Sequence, residues 1–338
     1  MPNVAPGRGV IACSVVIPAP FVAAEKPSTY WYQHGTLPNE LGNYQFVLQS
    51  RQAMYMAMNS AVTPARVLLG TLIASWITLA LAAPWHTVST PHSFPVRIVC
   101  IAFGWSIWTA STIALLVPSP LSLTVLRCAV PLAVICAAIA VSPLALFVSI
   151  VALILAYSSI VADSMVQGGA YGDETRFALR TPVPYMAPAV MAWGIVSGSI
   201  LGGSVALAAR QWIVGGVLLA IGVVVIRFVP QRLHRLSRRW LVLVPAGIVV
   251  HDHMVLAETL MVPRANILSL TSVSEAGESA DFTGGVLGLR IAVEQISPDK
   301  VVLSAITAKM LKTTEGLHVK TFSIAPRRHA EALAAITR

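Results

Sequence analysis

Charge is scarce in this sequence. Only 11% of its 338 residues are Asp, Glu, Lys or Arg, against about a quarter in an ordinary soluble domain. Hydrophobic residues make up 56% and the mean hydropathy is +0.74, so the chain needs lipid to bury its surface. The same numbers exclude disorder, which goes with few apolar residues and much charge. Cysteine is sparse too. Cys100, Cys128 and Cys136 fall in apolar runs and Cys13 lies near the start; no CxxC or Cys/His spacing of a metal site occurs. On one helix Cys128 and Cys136 would stand about 12 Å apart, too far to bridge. GxSxG, Walker A, GxGxxG and HExxH are all absent. No catalytic residue, cofactor or metal ion is therefore expected.

The start of the chain carries no convincing targeting signal. Arg8 and then Gly9-Val-Ile-Ala-Cys13 look like a lipobox, yet the apolar part before the cysteine is four residues long, short of the roughly 7–15 of a secretory core. Residues 27–44 hold two prolines and several turn formers. The reading for residues 1–62 is an uncleaved N-terminal cytoplasmic segment, partly disordered, or an upstream start with the protein beginning nearer Met54.

What is abundant is long apolar sequence. From Val67 to Ala162 the only formal charges are Arg97 and Arg127, a stretch far longer than the roughly 20 residues of one crossing. Proline and serine punctuation divides it, and six transmembrane helices result: 67–83, 96–117, 123–141, 144–162, 186–208 and 212–229. The third and fourth should form a tight hairpin, with a polar loop at 163–185. Arg227, Arg232, Arg235, Arg238 and Arg239 cluster past the sixth helix, which predicts that end in the cytoplasm by the positive-inside rule. Six crossings return the N-terminus to the same side, so a multi-pass plasma-membrane protein with both termini cytoplasmic is expected. Arg97 and Arg210, next to outer loops, dissent mildly.

No helix carries Asp, Glu, His or Lys at membrane depth, where ion-coupled transporters place them. Arg97 and Arg127 lie near helix starts and can snorkel to the interface. Pro131 predicts a kink. In the fifth helix Gly194, Gly198 and Gly202 recur every four residues on one face. Small residues in such a row let a second backbone approach in lipid. Packing against another helix of the same chain is the favoured reading, with homodimerisation along the groove as the alternative.

After Pro230 the composition changes to a water-soluble block, 231–338, holding 13 Lys/Arg and 9 Asp/Glu. Residues 231–239 predict a short helix with Arg232, Arg235 and Arg239 on one face, each basic group near an anionic leaflet contributing about 1 kcal/mol. Strand periodicity follows at 240–244, 248–252, 254–262, 267–273, 287–296, 300–305 and 322–324, with a terminal helix over 326–338. Seven strands and a helix suggest a small all-β barrel or sandwich with a helical plug.

Strands in this order with a C-terminal helix resemble the pleckstrin-homology (PH-like) superfold. The run Arg238-Arg-Trp-Leu-Val-Leu-Val-Pro-Ala-Gly-Ile-Val-Val-His-Asp252, with Leu256-Ala-Glu258, Val262-Pro-Arg264 and Phe322-Ser-Ile-Ala-Pro-Arg327, resembles a family of uncharacterised actinobacterial integral membrane proteins. The resemblance covers about two thirds of the chain and implies a membrane bundle with a cytosolic PH-like module and no established reaction.

Two constellations could carry chemistry. His251-Asp-His253 puts two imidazoles on one strand face, but zinc wants three or four protein ligands and no third is identifiable. The 163–185 loop holds Asp163, Asp173 and Glu174 with Gly168, Gly169, Arg176 and Arg180. Carboxylates at the membrane surface can hold Mg²⁺ for phosphoryl chemistry on a lipid, which makes a lipid-linked transporter or membrane-embedded enzyme the competing class. A solvated, charge-balanced loop explains the same residues. The favoured expectation is a non-enzymatic membrane protein whose PH-like module binds a protein or anionic lipid head groups. The arginines are too few and too tied to the membrane for nucleic acid.

Overall fold

The computed structural model describes residues 64–274, 279–310 and 316–337. The expectations for the 1–62 tail, Cys13 and Met54 lie outside the described residues.

The prolines that punctuate the apolar sequence open helices as often as they close them. Helix α1 (64–82) breaks at Ala83, whose φ of 36° is left-handed, and α2 (Pro84–Ser89) starts on a proline. Helices α3 (Phe94–Leu116), α4 (Pro120–Ile139) and α5 (Pro143–Tyr157) also carry proline in their first two positions, where its fixed φ and missing N–H cost nothing. Ser119 and Ser142 cap α4 and α5 by accepting from Ser122 N–H and Ala145 N–H. The expected α4–α5 hairpin is present, turned through Val141 at φ 51°.

Among the described residues, four helices are long and apolar enough to cross a membrane, or up to six if each bent pair is one span. The fourth expected span is one such pair: α5 stops at Tyr157 and α6 (Ser159–Gln167) leaves it at 61°. Helix α7 (Val183–Ala208) is long, whereas α8 (Trp212–Ile226) bends by 45° into α9 (Val229–Ser237). The helix expected at 231–239 thus begins earlier and ends before its last two arginines.

The strands form two four-stranded sheets and no closed barrel among the described residues. The first has the order β1 (Thr175–Ala178), β2 (Arg239–Val244), β3 (Gly247–Asp252), β4 (Leu260–Pro263), all antiparallel. The second has the order β5 (Ile267–Val273), β7 (Arg290–Val302), β8 (Gly316–Ile324), β6 (Ala280–Asp281), with β6 parallel to β8. Helices α10 (Ala305–Met310) and α11 (His329–Ile336) complete the module. Two expected strands, 287–296 and 300–305, are one long strand, β7.

Strand β1 corrects the reading of 163–185 as a polar loop. Phe177 pairs with Leu241 and Ala178 with Trp240, so a segment between two apolar helices supplies the edge of the β module. Strand β2 is buried on both faces. Trp240 and Val242 join the helical core with Val161, Ala162, Met165 and Val166. Leu241 points the other way, into the core of Ile248, Val250, Phe282, Ile291, Phe322 and Ile336 between the sheets. A strand buried on both sides reads as a continuous apolar run, as Trp240-Leu-Val-Leu-Val244 does.

The glycine row is corrected as well. A Cβ on Gly194 or Gly198 would meet nothing within 4 Å, and one on Gly202 only Leu218 Cδ1 at 3.8 Å. The α7–α8 contact is made by other glycines. A Cβ on Gly203 would stand 2.9 Å from Leu219 Cγ, one on Gly215 2.6 Å from Leu207 Cδ2, and one on Gly222 2.9 Å from Ile200 Cγ1. Gly203 lies one residue off the predicted row, hence about 100° round the helix.

Candidate functional site

Helix α9 joins the last apolar helix to the first long strand, which places its side chains at the seam between bundle and sheets. Arg227 before it, Arg232 and Arg235 on it, and Arg238 after it are exposed, while Leu233 and Leu236 are half-buried. The helix is tied down by Thr124 Oγ1 of α4, 3.0 Å from His234 Nδ1. Arg232 and Arg235 line a cavity of about 510 Å³ with Tyr185, His253 and Met254.

Arg239 does not belong to this basic surface. It is 2% exposed and forks onto Asp252, Nε to Oδ1 at 2.8 Å and Nη2 to Oδ2 at 2.7 Å. Its remaining donors reach Arg180 O at 2.6 Å and Thr283 O at 3.3 Å. The helix ends before residue 239, so the expected face of Arg232, Arg235 and Arg239 does not form. Arg239 instead joins β2, β3 and the segment after β1.

The three carboxylates of the competing reading do not converge. Asp163 lies in α6, buried, its Oδ1 accepting from Ala178 N–H at 2.8 Å, so it anchors β1. Glu174 pairs with Arg176, whose Nε donates to it at 3.1 Å. Asp173 is exposed. Among the described residues no group of three His, Cys, Asp or Glu is placed to hold a metal ion. The His251 and His253 rings lie 4.3 Å apart, but His251 Nδ1 is 3.2 Å from Thr259 Oγ1 and its ring stacks on Trp240.

Three arginines distant in sequence do come together. Arg127 of α4, Arg180 after β1 and Arg327 before α11 line a cavity of about 530 Å³ bounded by α4, α7 and α9. Its construction starts at Pro131. A proline has no N–H for the carbonyl four residues earlier, so Arg127 O is left free inside α4, and Tyr157 Oη donates to it at 2.9 Å. The Arg127 guanidinium lies 5.5 Å over the Tyr157 ring, with Nε 3.4 Å from Ala156 O. Its Nη2 is shielded and has no hydrogen-bond partner. Arg327 Nη1 donates to Tyr157 O at 3.0 Å and Arg180 Nη1 to Leu287 O at 3.1 Å. Burial lowers the Arg327 guanidinium below its ordinary range, which the Asp163 carboxylate partly offsets. None of the ion pairs among the described residues involves Arg127, Arg180 or Arg327.

Sequence reasoning assigns these arginines separately, one to snorkelling, one to a loop and one to a helix start. Only Pro131, four residues past Arg127, hinted at the opening. Comparison with protein-family models, curated proteins and solved structures gives no match to this chain.

Proposed function

We propose that this chain is a non-enzymatic plasma-membrane protein that holds a PH-like module on the inner surface, with α9 and the adjoining arginines meeting anionic head groups of that leaflet. Helix α9 carries the reading: Arg232 and Arg235 are exposed exactly where the apolar helices meet the sheets, while Leu233 and Leu236 turn inward. Basic side chains at that height attract anionic lipid and fix orientation. The PH-like reading rests on the two sheets with α11 after them, and kinship to the actinobacterial membrane proteins rests on the sequence run at 238–264 alone. A protein partner on the sheets is compatible with the same arrangement.

The test uses the full chain, because residues 231–338 alone would lack β1. In reconstituted membranes, spin-labelled phosphatidylglycerol should be restrained by the protein more than spin-labelled phosphatidylcholine. Arg232→Gln with Arg235→Gln, or added salt, should shrink that preference. Equal restraint of the two lipids in the unmodified protein overturns the reading. Orientation is checked with Leu268→Cys on β5: a membrane-impermeant maleimide should label it only after cells are opened.

A further inference from the structure

The cavity between Arg127, Arg180 and Arg327 combines two properties that rarely meet. One end carries three guanidinium groups and no lining carboxylate; the remainder is mostly apolar, with Cys128, Pro131, Val190, Trp193 and Leu233 among its walls. Its volume of about 530 Å³ falls within the range of roughly 300–1,000 Å³ usual for pockets that hold a small molecule. The walls belong to α4 and α7, both long and apolar enough to cross a membrane, and the arginine end abuts the β module. Trp193 Nε1 donates to Cys128 O at 2.9 Å, so α4 and α7 are pinned together along one wall.

We propose that this cavity binds a single anionic phospholipid, its phosphate on Arg127, Arg180 and Arg327 and the start of an acyl chain along the α4–α7 wall. The assignment rests on the membrane reading above and deepens it by naming a ligand and a built site. Charge selects the head group. Three cations within one cavity repel one another in a poorly hydrated place, and a phosphate relieves this through charge-assisted hydrogen bonds. The Arg127 guanidinium lines the cavity and has no acceptor for its Nη2 within the protein, so it has hydrogen-bonding capacity to spare. A choline or ammonium head would add positive charge to that end. Inorganic phosphate would satisfy the arginines but leave the apolar wall uncovered, which favours a ligand with a tail. The Asp163 carboxylate favours the charged form of Arg327, yet Asp163 does not line the cavity; its Oδ1 accepts from Ala178 N–H and its Oδ2 is buried without a partner.

The experiment is native mass spectrometry of the full-length protein in detergent, titrated with phosphatidylglycerol, with phosphatidylcholine of the same chains, and with inorganic phosphate. One phosphatidylglycerol per chain should persist, with phosphatidylcholine retained about ten-fold less, because its phosphate can still meet the arginines but its trimethylammonium adds a positive charge beside them. Arg127→Gln combined with Arg327→Gln should weaken the phosphatidylglycerol adduct by about ten-fold or more. Lys300→Gln, which removes an exposed cation of β7 outside both sites, should leave it intact. Should the double arginine variant fail to fold, Val190→Trp fills the space without changing charge and should equally abolish the adduct, with helical content and monodispersity as controls. Equal retention of the two lipids, a surviving adduct in the cavity variants, or phosphate binding as tightly as the lipid would overturn the proposal. Absence of the phosphatidylglycerol adduct in the unmodified protein, with the spin-label preference present, overturns the cavity site alone; absence of that preference in the unmodified protein overturns the broader reading.

Discussion

Tyr157 Oη donates to Arg127 O at 2.9 Å, filling the place of the backbone donor that Pro131 lacks. A side chain at the end of α5 thereby completes the hydrogen bonding of α4, and the kink expected from the proline becomes a joint between the two helices. Removing the hydroxyl should strand the carbonyl. Tyr157→Phe is expected to destabilise by about 1 kcal/mol, the scale of such bonds between apolar helices. In a Pro131→Ala background, where residue 131 again supplies an N–H, the same change should cost clearly less. Thermal unfolding in detergent, read by tryptophan fluorescence, checks this; strictly additive effects would show that the two residues are not coupled.

Arg239 and Asp252, with side chains 1% and 0% exposed, form a buried forked pair. Breaking one side of such a pair leaves a buried charge without its partner, at about 3–5 kcal/mol. Arg239→Met should therefore give a protein that purifies poorly or melts far lower. Arg239→Met with Asp252→Leu should recover much of the loss, because two apolar side chains replace two ions. A double variant no better than the single would assign the damage to the carbonyls of Arg180 and Thr283.

The α7–α8 contact sorts the glycines. Gly203→Val drives a side chain into Leu219, whose N lies 3.0 Å from the would-be Cβ, and overpacking of this kind costs about 1–3 kcal/mol. Gly198→Val meets nothing within 4 Å and should leave the melting temperature near that of the parent. A Gly198→Val protein whose chain fold is intact but whose sedimentation shifts from dimer to monomer would revive the homodimer reading for Gly194 and Gly198.

Acid should loosen the β module through His251. Burial, then the positive neighbours His253 and Arg238, hold its imidazole down at about 4 against an ordinary 6.5. The folded state thus prefers the neutral ring, and the unfolded state takes up the proton first as pH drops. Stability is complete above about 6.5 and falls as pH declines toward about 4. In His251→Phe this share of the slope should vanish, while the ring's stacking on Trp240 is kept. Melting temperatures measured from neutral pH down to about 4 decide it; parallel curves for both proteins would remove His251 from the account.

Some of the architecture was readable without coordinates because it is local. The α4–α5 hairpin follows from Ser142-Pro143 alone, a cap and a helix-starting proline in succession. Strands β2 and β3 follow from two apolar runs around Pro245-Ala-Gly247. Strand β1 was not readable: Thr175–Ala178 is four residues in a polar stretch, and its state depends on pairing with Arg239–Val244, far along the chain. Helical spacing reads Arg239 as surface, and α9 ending two residues earlier, at Ser237, moves it to the interior.

The apolar helices and their proline breaks are dictated by the residues themselves, since the choice between lipid and water acts on every side chain independently of its distant neighbours. Which arginines stay exposed, which glycines touch and where three guanidinium groups meet were settled only when the chain folded. Those outcomes depend on helix phase and long-range pairing, and a shift of one residue rotates a side chain by about 100°.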